Sequence, residues 1–139
     1  MGLAPLMAKQ FRVGDLVSSP GRKVSGLFTV AERAASSIAL PVSIIQGTKD
    51  GPTLVVIAGE HGCEYSGIVG AVEFIRDLDP REVSGTIVVL PLANPVAFDQ
   101  RFLFVNPIDQ VNTYGAYPGS PDATVTFRVA YKLLNEVAL

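Results

Sequence analysis

The chemistry of this chain concentrates in six consecutive residues, Gly59-Glu60-His61-Gly62-Cys63-Glu64, which hold its one histidine and its one cysteine. His61 and Glu64 are three positions apart, so if a helix begins between them both side chains reach the same side. An imidazole nitrogen and a carboxylate oxygen can then share one cation. With a third protein ligand they leave a fourth position on Zn²⁺ open for water. Gly59 and Gly62 suit a tight turn that keeps a Cβ out of a ligand's way. Spacing alone does not separate such a site from an ordinary surface or capping pair, which a histidine and a glutamate three apart more often form. The surroundings have to decide.

Two other chemistries fit these residues less well. Cys63 as a nucleophile with His61 as its base would need partners two positions apart, with no second histidine to orient the first. A small packing residue is the simpler role for Cys63. The glycines at 59, 62, 67 and 70 spell neither G-x-G-x-x-G nor a P-loop, and no lysine follows to meet a phosphate. Gly67 and Gly70 read instead as close-packing positions between a helix and a sheet.

The elements that must position the motif follow from hydrophobic periodicity. Thr53 to Gly59 is apolar on both faces, as a central strand covered from both sides would be. Ile68, Ala71, Val72, Ile75 and Leu78 then recur at helical spacing until Asp79-Pro80 stops the run. Thr86 to Leu92 is a second doubly apolar strand, so strand, helix and strand form a crossover with parallel pairing. Ahead of this unit, Lys23 to Glu32 alternates and Ile38 to Gln46 is rich in β-branched residues, which predicts two antiparallel strands with short connections. Residues 94 to 112 read as an irregular polar loop. Phe127, Ala130, Tyr131, Leu134 and Ala138 mark one face of a last helix. The expected class is α/β: a mixed, mostly parallel sheet with flanking helices. Residues 1–22 form an N-terminal extension and 23–139 the α/β core. The motif then lies at the carboxyl end of a buried strand, where open α/β sheets gather their chemistry.

Composition excludes several partners. Of the 139 residues 48% are apolar and 17% charged, which supplies a buried core and excludes a disordered chain. Eleven Lys and Arg against thirteen Asp and Glu leave a net charge of −2, without a basic surplus for nucleic acid or an anionic membrane. No run approaches the roughly 18 apolar residues of a membrane span. The lone cysteine and a start with no basic n-region place the protein in the cytoplasm.

Beyond physical chemistry, the order of buried strand, Gly59-Glu60-His61-Gly62-Cys63-Glu64 and amphipathic helix resembles the Gly-x-His-Gly-x-Glu motif of the aspartoacylase and succinylglutamate desuccinylase family, relatives of the zinc carboxypeptidases. The resemblance runs on through Asn94-Pro95-Val96-Ala97-Phe98 to Pro107-Ile108-Asp109-Gln110-Val111-Asn112 and Ala116-Tyr117-Pro118-Gly119. It implies a zinc carboxypeptidase-like fold of which this chain is an N-terminal, truncated portion. It also implies Zn²⁺ as cofactor with His61 and Glu64 as metal ligands, and Arg101 as a substrate contact. The implied reaction is deacylation of a small N-acyl amino-acid-like molecule, at an amide rather than an ester bond. The third ligand, a later histidine, and the general base, a later glutamate, are expected beyond Leu139. Cys63 and Asp109 are the residues that could stand in for the missing ligand. One departure concerns the substrate: the family's Asn-Arg before Phe-Pro-Gly, which holds a carboxylate, is here Tyr114 and Gly115. The competing reading is a noncatalytic α/β fragment or pseudoenzyme that acts through association, with an unpaired sheet edge and an uncovered helix face favouring a homo-oligomer.

Overall fold

The computed structural model describes residues 9–138. The part of the expected N-terminal extension that lies within them is a two-stranded hairpin, β1 (Phe11–Val13) with β2 (Leu16–Ser18), and its Val13 is buried in the main core. Residues 1–8 lie outside the described residues.

A second, long hairpin follows. β3 (Arg22–Arg33) pairs antiparallel with β4 (Ser36–Gln46) across the two-residue connection 34–35, and the register shifts between Thr29 and Ala31. Next come β5 (Lys49–Ile57), the crossover helix α1 (Tyr65–Asp77) and β6 (Ser84–Leu90). β5 starts four residues earlier than its apolar run suggests, because Lys49 already pairs with Ser84. The four-stranded sheet has the order β3-β4-β6-β5, with β4 and β6 antiparallel and β5 and β6 parallel. It is mixed, as expected. Parallel pairing is confined to β5 with β6 among the described residues.

One expectation needs correcting. β5 and β6 are parallel neighbours, but only β6 is central; β5 is the edge strand of the described sheet, and Lys49 to Leu54 are exposed. An all-apolar strand reports that layers can cover both its faces, and says nothing about its place in the strand order.

The two faces of the sheet are covered unequally. On one, Phe28, Val30, Leu40, Val42, Ile44, Val88 and Leu90 pack with Val125, Val129, Leu133 and Val137 from the last helix, α3 (Val125–Lys132) and its π-helical continuation Leu133–Ala138. The face that α3 buries holds Val125, Thr126, Val129 and Ala130. Phe127, Tyr131 and Leu134 are half-buried and Ala138 is exposed, so the face expected for this helix is displaced by one position. On the other side Ile45, Val83 and Val89 form a small cluster with Ala71, the one buried residue of α1. Val72, expected on the inner face, is 50% exposed.

Candidate metal-binding turn at the end of β5

The turn that carries the motif is held by pairing that outlasts the strands. Ala58 N donates to Leu90 O, Ala93 N to Ala58 O and Asn94 N to Gly59 O, each at 2.9 Å. Gly59 then turns at φ +62°, and a Cβ there would lie 2.9 Å from Ile68 Cγ1, so a side chain would be both strained and crowded. The reason for Gly62 differs from the one expected. A Cβ there would strike the Phe102 carbonyl oxygen and the Ala97 backbone, so this glycine allows a loop to pack against the turn. Gly70 has nothing within 4 Å of its Cβ position, and Gly67 has only Ala58 Cβ at 4.0 Å; neither is a tight packing position between helix and sheet.

Glu64 occupies the N-cap position of α1 but makes no capping bond. Its carboxylate turns back, so that Oε2 accepts from His61 N at 3.2 Å and Oε1 lies 2.8 Å from His61 Nδ1. The other ring nitrogen, Nε2, is 3.0 Å from Asn112 Oδ1. That oxygen also accepts from Tyr114 N at 3.0 Å, which fixes the amide's orientation. Both ring nitrogens therefore face acceptors, an arrangement that favours the imidazolium. The Asn112 bond is the main cause holding the His61 pKa above its ordinary 6.5, and Glu64 adds to it against partial burial. Partial burial pushes the Glu64 carboxyl up, but its bonds to His61 outweigh that and hold it below its ordinary value. The ring of Phe104 meets the imidazole edge to face at 5.7 Å.

The nitrogen and oxygen donors are of the types that could occupy two corners of a metal site. Ligands on tetrahedral zinc at about 2.0–2.1 Å sit roughly 3.3 Å apart, so the Nδ1 and Oε1 atoms, now 2.8 Å apart at hydrogen-bond distance, would have to separate by about 0.5 Å to share one. A cation could take the place of the proton between them, while Nε2–H stays on Asn112 in the manner of an outer-shell partner. No third His, Cys, Asp or Glu gathers with this pair among the described residues. Asp109 is engaged elsewhere: it accepts from Thr126 N at 2.8 Å, Thr126 Oγ1 at 2.7 Å and Val111 N at 3.3 Å, tying the loop to the start of α3. Cys63 is half-buried in the turn.

Comparison with known proteins fixes the family. The model of the succinylglutamate desuccinylase/aspartoacylase catalytic domain matches residues 50–133. The chain belongs to this family. It is similar to an N-α-acetyl-L-2,4-diaminobutyric acid deacetylase of Halomonas elongata, 30% identical over 99 residues that make up 71% of this chain and 28% of the relative. Among solved structures it is similar to an aspartoacylase family protein of Mesorhizobium loti, with TM-score 0.77 and 27% identity over 94% of this chain and 40% of that one. It is also similar to the product-bound ectoine utilization protein of Ruegeria pomeroyi, with TM-score 0.74 and 26% identity over 93% of this chain and 39% of that one. The chain thus spans well under half the length of these relatives.

The loops above the turn carry the other residues that the sequence resemblance pointed to. After α2 (Pro95–Asp99), Arg101 is exposed and sits at φ +58°, a left-handed conformation that costs a non-glycine residue roughly 1–2 kcal/mol. Its neighbours wrap the turn, with Phe102 backed by Gly62 and Phe104 against His61. Tyr114 and Gly115, expected from the resemblance to replace an Asn-Arg pair, lie in a single 3₁₀ turn, and Tyr114 is 80% exposed.

Several residues that the sequence offered only as members of matched segments, with no role of their own, also build this site. Asn94 is 3% exposed; its Oδ1 caps α2 through Ala97 N at 3.1 Å, and its Nδ2 donates to Glu60 O at 3.3 Å and Thr113 Oγ1 at 3.5 Å. Tyr117 Oη donates to Glu60 Oε1 at 2.7 Å, and partial burial together with this bond raises the phenol's pKa above its ordinary value. For Asn94 there was a local signal, since Asn followed by Pro reads as N-cap and first helical residue. For Asn112 and the Glu60–Tyr117 pair there was none, because the contacts join residues 51 and 57 positions apart.

Proposed function

We propose that this chain is part of a zinc-dependent hydrolase that removes an acyl group from a small N-acyl amino-acid-like molecule, at an amide rather than an ester bond. The observation that carries the reading is the approach of His61 Nδ1 to Glu64 Oε1, 2.8 Å, at the carboxyl end of β5 in a chain of this family. The name of the Halomonas elongata relative, a deacetylase of an N-acetylated diamino acid, supports the substrate class. His61 and Glu64 would hold the metal, and Asn112 would keep the imidazole in the tautomer that presents Nδ1. Bound zinc would supply a Lewis acid for the acyl carbonyl and a lowered pKa for its water. Arg101, held in a strained conformation on the loop that wraps the turn, would orient the substrate or meet the developing negative charge. The third ligand and the general base would come from polypeptide beyond the described residues, packed along the open edge of β5 and over α1. We place the protein in the cytoplasm; no helix among the described residues is long and apolar enough to cross a membrane.

The test is zinc titration of the 139-residue chain by calorimetry, beside an assay with N-acyl amino acids. With two ligands the expected result is weak zinc binding and no multiple turnover. Tight stoichiometric binding with turnover abolished by His61→Ala would overturn the incomplete site. Failure of His61→Ala to weaken zinc binding in a chain extended to the length of the relatives would overturn the metal role itself.

A second reading, association without catalysis, draws on one observation: Tyr65, Val69, Val72 and Phe74 on α1, with Leu54 on β5, are all exposed. A chain that self-associates and takes up no zinc at any length would favour it.

A further inference from the structure

We infer that the Tyr117–Glu60 hydrogen bond is a positioning device for His61, seating the 112–117 loop so that Asn112 stays on Nε2 and Nδ1 is left for a cation. The inference rests on the metal-site reading and adds to it a residue that touches neither the histidine nor a ligand. The loop has two anchors on the motif turn. At one end Asn112 Oδ1 lies 3.0 Å from His61 Nε2, and at the other Tyr117 Oη lies 2.7 Å from Glu60 Oε1. They land on the side chains of consecutive residues, Glu60 and His61.

Burial seats the loop from below, with Thr113 2% and Ala116 1% exposed and Tyr117 packed on the main core, but few polar bonds tie it to the motif turn. Tyr114 at its middle is exposed and Gly115 offers no side chain, so no packing from outside presses the 3₁₀ turn down. Inside, Thr113 meets Asn94 at 3.5 Å, the longest bond of the set, and Asn94 reaches Glu60 through its carbonyl at 3.3 Å. The Tyr117 bond is the shortest of them, it joins a hydroxyl to a carboxyl group, and Tyr117 is half-buried, which shields it from competing water. Without it, the loop would keep its buried Thr113 and Ala116 but lose its shortest polar tie to the motif turn, and the acceptor that orders the imidazole would be less tightly placed.

The chain's single histidine makes the test clean, since ¹⁵N-labelled imidazole gives one pair of ring-nitrogen signals. At one fixed pH, Tyr117→Phe should move the Nε2 signal of the 139-residue chain toward its position in Asn112→Ala, with an unchanged circular dichroism spectrum. Co²⁺ affinity should fall about tenfold in each variant, the low end of what outer-shell partners contribute. The double variant should lose no more than either single one. Glu60→Gln, whose amide oxygen still accepts from the phenol, should keep the Co²⁺ affinity within a factor of about two of the parent chain. An unchanged Nε2 signal in Tyr117→Phe, or additive losses in the double variant, would overturn the inference. Should Tyr117→Phe fail to fold, Glu60→Ala empties the other end of the same bond and is read by the same two outcomes. If the parent chain takes up no Co²⁺, the affinities are compared in a chain extended to the length of the relatives, where no uptake would overturn the metal-site reading, and the ring-nitrogen signals still decide on Tyr117.

Discussion

β5 and β6 are written in nearly the same amino acids, and the fold treats them differently. Val88, Val89 and Leu90 of β6 are fully buried, while Leu54 of β5 is 53% exposed and Val55 to Ile57 are half-buried. The helices differ in the same way: α3 with its continuation closes one face of the sheet, whereas α1 buries Ala71 alone. What separates the well-covered from the poorly covered element is the presence of a neighbour. The uncovered side is also the side on which the chemistry lies, because the turn after β5 leads into α1.

The largest expected effect sharpens this contrast. Leu90→Ala should cost about 3–4 kcal/mol in urea unfolding, since it opens a cavity in a closed core, whereas Leu54→Ala should stay within about 0.5 kcal/mol. Equal losses would mean that β5 is covered in solution. Next comes Asp109, whose carboxylate accepts two bonds from Thr126 and one from Val111. Burial alone would raise its pKa; the Thr126 and neighbouring bonds win and hold it below the ordinary 3.8. Its contribution is therefore present above pH 3.8 and lost as pH falls through the folded value. Asp109→Ala should cost about 1–2 kcal/mol at pH 7, as loss of a helix-end acceptor does, and the gap to the parent chain should narrow below pH 3.8.

A smaller effect concerns His61, whose pKa is raised by Asn112 and Glu64. In the metal-free chain its contribution is fully present below pH 6.5 and is lost as pH rises through the folded pKa. The thermal midpoint should decline over that window in the parent chain and not in His61→Ala. Zn²⁺ should act in the opposite sense, stabilising more at the higher pH, because it must displace the proton on Nδ1. The smallest effect on stability belongs to α1: Val69→Ser with Val72→Ser should leave unfolding within about 0.5 kcal/mol while lowering the sedimentation coefficient at high protein concentration. No change in sedimentation would remove the apolar face as a cause of self-association.

The strands and helices of this fold were legible because their signals are local. Alternation in β3, β-branching in β4, the doubly apolar runs of β5 and β6 and the helical period after Glu64 each lie within a dozen residues. The approach of His61 to Glu64 was legible for the same reason, with the glycine-framed turn and the strand before it as context. The edge position of β5 was not, since strand order depends on pairings between distant residues. The inner face of α3 was misplaced by one position because Phe127 and Tyr131 look more apolar than Val125 and Thr126, yet the latter pair meets the sheet. Glu60, Asn112 and Tyr117 stood in the segments that carry the family resemblance, but nothing local assigned them contacts until the fold brings two loops onto one turn.

The order in which these strands emerge during synthesis has a consequence of its own. β3 and β4 are joined by a two-residue connection and can zip as soon as both exist, on the microsecond scale of hairpins. β5 cannot do the same, because its partner β6 is finished roughly thirty residues later, after the whole of α1. At about 5–20 residues per second on the ribosome, the run from Thr53 to Ile57 therefore waits a few seconds with neither edge paired. During that interval the segment that later carries His61 into place is the stretch of the described chain most open to pairing with another strand.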